Sequence, residues 1–219
     1  MAKKKTDEKG KLPRGKLAIT KDPRVYEQNT PRTPQGHKRL LGLDLASNCG
    51  ATFCDIIPGL PVTGGQMIAG QWDLEVGKWD TQAIRLIRLK QFLSIAKPDL
   101  VFYEEVKFVG QSPAPGARRQ NLTALVARAV SGAQVVHIMQ GCLVTWCEER
   151  DIPCQHVPIG VLKKYATGRG NANKLDMIRA CNEQFGTEFR EEEGTGDDNI
   201  ADSMFLCAMA VANYSEGLA

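Results

Sequence analysis

Carboxylates stand at three points of this sequence where folding alone does not favour them. Asp44 sits inside the apolar run LLGLDLA, where a charge costs folding energy unless something compensates it. Glu104 and Glu105 end the run LVFYEEV. Asp197, Asp198 and Asp202 open the apolar stretch DDNIADSMFLCAMAVANY, and Asp198 and Asp202, four residues apart, share one helix face. Each acid has an ordinary reading. Asp44 suits a strand-end cap, the glutamates a strand meeting solvent, and Asp197 or Asp198 a helix N-cap. Taken together, a strand-borne Asp, a Glu ending another strand and a paired-acid helix converge on one edge of a layered fold. Hard oxygen donors of this kind suit Mg²⁺, which takes a few carboxylates and keeps room for phosphate and water. Two such ions form a clamp for phosphodiester hydrolysis.

The helix register bears on the fourth acid. At about 100° per residue, position 199 lies about 60° to one side of Asp202 and position 198 about 40° to the other. Asp197 falls roughly 140° away, which fits a cap or a solvated acid. Positions 198 and 199 both face the same ion, but only Asp198 carries charge. Asp198 is therefore the expected fourth acid, with Asn199 the alternative.

A second constellation is VLKKYATGRGNANKLDM at 161–177. Gly168 and Gly170 bracket Arg169, and Lys163, Lys164 and Lys174 flank them. Glycines let a backbone approach a phosphate and the cations neutralise it. The spacing also fits a plain helix–turn–helix connection with exposed basic residues.

The elements that position these residues follow from periodicity. Short apolar runs bounded by turn residues predict strands over 39–46, 50–57 and 66–74, with hairpin-like spacing. Residues 81–97 shift to three- and four-residue steps through Ile84, Ile87, Phe92 and Ile95, an amphipathic helix stopped by Pro98. A strand over 100–106, a loop over 108–121, a helix from 122 to 149 broken near Gly132, and a strand over 154–159 come next. Helical segments over 160–166, 172–185 and 197–214 complete the chain. The order βββαβαβααα, with five strands, predicts an α/β fold: a mixed sheet with helices on its faces.

Charge divides the chain. Residues 1–36 hold ten Lys or Arg against four acids, a net +6, and the other 183 residues come to −3. With four prolines and no apolar period, residues 1–37 read as a flexible basic arm and 38–219 as one domain. A basic arm on a slightly acidic body suits a polyanion, nucleic acid first, or serves as a solubility tail. No apolar run is long enough to span a membrane, and the polar first residues lack the apolar core of a secretory signal. Seven scattered cysteines without CxxC spacing argue against a disulfide framework or structural zinc and fit a reduced, cytoplasmic setting.

In this order and spacing, GLDLASNCGATFCD, YEEV, KKYATGRGNANK and DDNIADS resemble a RuvC-type Holliday-junction resolvase, in the divergent phage-like branch, over residues 38–214. The resemblance implies an RNase H-like fold and a homodimer in the cytoplasm of a bacterial or phage-infected cell. It implies Mg²⁺, with Mn²⁺ able to substitute, and branched DNA as the partner. Asp44 resembles the first-strand aspartate, Glu104 the fourth-strand glutamate (Glu105 one register step on), and Asp202 the last-helix aspartate. Lys163 or Lys164, and Lys174, resemble residues that contact the DNA backbone, with Arg169 between them. Phe108 resembles a junction-wedging aromatic, and Arg118 and Arg119 belong to the same long loop. The helix over 133–147 offers an apolar face for a symmetric interface or for the sheet. Two other readings compete. An actin- or sugar-kinase-like ATPase also opens on an Asp-bearing strand but needs two such domains. A non-catalytic DNA-binding module of the same fold would have lost some of the acids, and all are present.

Overall fold

The computed structural model describes residues 23–60, 67–78, 80–105, 119–192 and 195–215. Its strands are β1 (Lys38–Asp44), β2 (Asn48–Ile56), β3 (Met67–Asp73), β4 (Leu100–Glu105) and β5 (Cys154–Pro158). Its helices are α1 (Pro23–Asn29), α2 (Gln82–Ala96), α3 (Arg119–Glu148), α4 (Ile159–Thr167), α5 (Lys174–Phe185) and α6 (Asp197–Ser215). The sheet order is β3-β2-β1-β4-β5. β1–β2 and β2–β3 are antiparallel, and β1–β4 and β4–β5 are parallel. The sheet is mixed, as the sequence predicts.

β1 lies in the middle of the sheet and is covered on both faces, which is why it reads as an unbroken apolar run. Side chains alternate between two cores. Leu41 and Leu43 join Trp72, Leu89, Phe92, Met139 and Trp146 on the face covered by α1, α2 and α3. Leu40 and Phe102 join Ile178, Phe205 and Leu206 on the face of α4, α5 and α6.

Three expectations shift. The arm does not extend to residue 37: residues 23–29 form α1, whose Tyr26 is buried edge-on to Trp72 and Phe92 at 5.6 and 5.3 Å. Pro31 is also held, its carbonyl accepting from Arg39 Nη2 at 2.8 Å. Residues 1–22 lie outside the described residues. α3 runs through Gly132 without a break, since a glycine inside a helix costs about 1 kcal/mol and does not by itself end it. α2 buries Arg85, Leu89, Phe92, Leu93 and Ala96, and leaves Ile87 54% exposed, so its inner face is rotated from the one the isoleucines mark.

Candidate functional site

Register brings the acids together. β1 and β4 pair in parallel, Leu43 beside Tyr103, so Asp44 and Glu104 end neighbouring strands at the same edge. Tyr103 belongs to the α2–α3 core and Phe102 to the α6 core, so alternation turns Glu104 toward α6 and Glu105 away. The charge of Glu105 falls on Tyr103, on the far face.

The third and fourth acids depend on how closely α6 seats on the strands. A Cβ on Gly42 would lie 2.3 Å from the Ser203 carbonyl, and one on Gly50 would lie 1.9 Å from the Asn199 carbonyl. Both glycines therefore let helix backbone rest on strand backbone. Thr52 and Ser203 share a buried hydroxyl hydrogen bond of 2.7 Å, and Asn199 Nδ2 donates to the Asn48 carbonyl at 2.6 Å. These contacts fix the rotation of α6 and bring Asp198 and Asp202 over the edge where Asp44 and Glu104 end.

The electrostatics record that convergence. Desolvation, then Asp202, Glu104 and Asp198, hold the Asp44 carboxyl well above the usual carboxylate range, and Lys174 partly offsets them. Asp202 is pushed up to about 7 by desolvation and then by Glu104 and Asp198, against Lys163 and Lys174. Glu104 is raised by desolvation, with the same two lysines opposing. The Asp202 Oδ1 is buried without a hydrogen-bond partner. The donor set is all carboxylate oxygen, and one buried oxygen of it lacks a partner, which fits a hard divalent cation in kind. Among the described residues no three His, Cys, Asp or Glu stand close enough to enclose a metal as they are.

The two candidates for the fourth acid are separated by their hydrogen bonds. The Asn199 amide is committed to the β2 backbone, whereas Asp198 is buried, faces the cluster and receives Lys174 Nζ at 2.5 Å. Asp197 points away but is not solvated: it is 2% exposed and accepts from the Arg190 backbone N–H at 3.1 Å. Burying that carboxylate satisfies a backbone donor of the segment before α6.

The basic segment is a helix–turn–helix connection. α4 ends at Gly168, whose φ of 75° suits glycine, and α5 starts with Asn173 and Asp176 in a reciprocal capping box. Lys163 is half-buried and acts on Glu104 and Asp202. Lys164 is exposed on α4, and exposed Arg169 pairs with Asp176 at 3.4 Å. Phe108 and Arg118 lie outside the described residues. Arg119 opens α3, and its side chain is likewise outside them.

The contacts that seat α6 escaped the sequence reading. Gly42 and Gly50 were a usable signal, because glycine inside a strand often marks close backbone approach. Asn199 and Ser203 gave none, since their partners lie more than 150 positions away in the chain.

No protein-family model matches the sequence, and no curated protein does. Two solved structures match in fold. The structure of Thermus thermophilus RuvC has a TM-score of 0.51 at 14% identity, covering 82% of this chain and 97% of that one. T. thermophilus RuvC in complex with a Holliday junction substrate has a TM-score of 0.52 at 16% identity, covering 83% and 98%. The sheet order, the helices on both faces and the seating of α6 on β1 and β2 together give this chain the RuvC-type, RNase H-like α/β fold.

Proposed function

We propose that this chain is a metal-dependent endodeoxyribonuclease that recognises branched DNA, four-way junctions above all, by shape. The observation that carries the reading is the convergence of Asp44, Glu104, Asp198 and Asp202 on one sheet edge, with a buried Asp202 oxygen left without a partner. The fold likeness to a resolvase solved with its junction supports the choice of substrate.

Asp44, Glu104, Asp198 and Asp202 would hold Mg²⁺, or Mn²⁺ in its place. When bound, such ions activate a water and stabilise the leaving 3′-oxygen of a phosphodiester. The rest falls to the protein. Asp44, whose carboxyl feels all three other acids, would be the ligand common to the cluster. Lys163 offsets Glu104 and Asp202 and faces the incoming phosphate. Lys164, Lys174 and Arg169, around the α4–α5 turn, offer backbone contacts that carry no sequence information, so selectivity comes from junction shape. Phe108, Arg118 and Arg119 belong to the same DNA-facing role.

A homodimer fits two opposed nicks. A groove of about 410 Å³ between α2 and α3, with Ile87 and Ile138 half exposed, is the surface proposed for the second copy. Met139, Leu143 and Trp146 face the chain's own core. Among the described residues no helix is long and apolar enough to cross a membrane. The proposed place of action is the DNA-containing cytoplasm of a bacterial or phage-infected cell.

The test is cleavage of synthetic four-way and linear DNA with Mg²⁺, then with EDTA. Asp44→Asn, Glu104→Gln and Asp202→Asn should each lose at least about 100-fold in rate, since each removes charge from the metal cluster, while junction binding persists. Glu105→Gln should cut normally. Full activity in Asp44→Asn would sink the reading.

A further inference from the structure

Lys174 is placed oddly for a lysine whose role is to support the fold. It is the first residue of α5, at the positive end of the helix dipole, where a cation is unfavourable. The needs of that helix end are met without it, by the Asn173–Asp176 capping box. The lysine side chain is 61% exposed, yet its ammonium reaches a carboxylate only 8% exposed, Asp198, at 2.5 Å. Its charge also acts on Asp44, Glu104 and Asp202. A long, mostly solvated side chain loses little by leaving such a contact. The buried carboxylate it leaves needs another cation at once.

The charge count sharpens the point. With all four carboxylates ionised, as metal ligands must be, the cluster carries a formal −4, and Lys163 and Lys174 return +2. The remainder matches one divalent ion, so a second ion and Lys174 compete for the same oxygens.

We propose that Lys174 is a tethered counter-ion that occupies the cation position on Asp198 in the free protein and is drawn off by a DNA phosphate. Loading of the second divalent ion and seating of the substrate are thereby coupled. The proposal rests on the metal-site reading above and adds to it an order of events. With no DNA present, Lys174 shields Asp198 and the site holds one ion well and the second poorly. A backbone phosphate beside the α4–α5 turn offers the ammonium a stronger, less buried partner. Asp198 is then free, and the phosphate that freed it lies against the completed site. By linkage the coupling is reciprocal: whatever frees Asp198 tightens the ion, and the ion favours the lysine position that grips DNA.

The experiment is Mn²⁺ binding to the full chain without DNA, followed by calorimetry and by the electron paramagnetic resonance of free Mn²⁺. Lys174→Gln should bind the second Mn²⁺ about tenfold more tightly than wild type, the scale of removing one unit charge in contact with a ligand oxygen. Lys174→Arg, which keeps the cation, should bind as wild type does. At saturating Mn²⁺ the Lys174→Gln protein should cut junctions more slowly, because its phosphate contact is lost. Tighter metal with slower cutting is a divergence that a merely structural ion pair does not produce. Unchanged or weaker Mn²⁺ binding in Lys174→Gln, with Asp44→Asn deficient in Mn²⁺, overturns this proposal and leaves the metal site standing. Equal Mn²⁺ binding by wild type and Asp44→Asn overturns both.

Discussion

Placing α6 depends on a hydrogen atom where any other residue would carry carbon, and Gly50→Ala tests that dependence. The added Cβ would lie 1.9 Å from the Asn199 carbonyl oxygen, 2.4 Å from its carbon and 3.1 Å from the Ile200 nitrogen. All three are backbone atoms, so no side chain can swing aside. Cβ contacts shorter than 3.0 Å essentially do not occur, so the first turn of α6 must retreat by about 1 Å. The retreat breaks the Asn199–Asn48 hydrogen bond and carries Asp198 and Asp202 away from Asp44. Overpacking of this size costs about 1–3 kcal/mol, which for a domain of this length lowers Tm by roughly 2–12 °C. A 1 Å misplacement of reacting groups costs about 100-fold in rate. Thermal unfolding, Mn²⁺ titration and junction cleavage read the three effects separately. Gly141→Ala is the matched control. It lies in α3 with nothing within 4 Å of a new Cβ, and in thermal unfolding should gain up to about 1 kcal/mol of helix propensity. If Gly50→Ala melts within a degree of wild type and cuts at its rate, the seating of α6 on β2 is not what positions the acids.

Two further outcomes follow from the same structure. Asp202 has a folded-state pKa of about 7 against 3.8 for the free side chain, so its ionisation disfavours the fold increasingly as pH rises between those values. In EDTA, Asp202→Asn should therefore gain on wild type by up to about 4 kcal/mol between pH 4 and pH 8, read from urea midpoints; a difference that shrinks toward pH 8 would contradict the sign. Tyr26→Ala should cost about 3 kcal/mol, as removal of a buried aromatic does, whereas a chain starting at Pro23 should keep wild-type stability and its preference for branched over linear DNA.

How legible each feature was depended on whether its cause was local. Asp44 was visible because an acid in a leucine-rich strand contradicts its surroundings, and alternation along β4 separates Glu104 from Glu105 once the strand's face is known. The mixed sheet was visible because hairpin spacing gives way to strands alternating with helices after residue 80. Tyr26 was hidden by its neighbours: one aromatic in a basic, proline-bearing stretch is outweighed by composition, and its partners Trp72 and Phe92 lie far along the chain. The choice between Asp198 and Asn199 turned on one residue of helix start, which no spacing rule resolves, and the Asn199 amide's bond to a carbonyl 151 positions away has no local trace in the sequence. The buried Arg39 was equally silent. It pairs with Asp55 and binds the carbonyls of Ala96 and Pro31, a set that exists only after β1, β2 and α2 have met.

Different groups carry the stability of this fold and the chemistry of its candidate site. Two apolar cores, one on each face of the sheet, hold the strands, and the contacts that orient α6 are a shared hydroxyl bond, an amide on a carbonyl and two bare glycines. None of these involves the charge of an acid. The acids can therefore repel one another at the sheet edge while the helix that brings two of them is held by neutral contacts at Asn199 and Ser203, the residues next to them in the chain. On the proposed reading, a divalent ion bound by the cluster would return the stability that this repulsion takes from the free protein. Lys163 and Lys174, carried by the helices on either side of the α4–α5 turn, offset part of that repulsion in the free protein, Lys163 at Glu104 and Asp202 and Lys174 at those two and at Asp44.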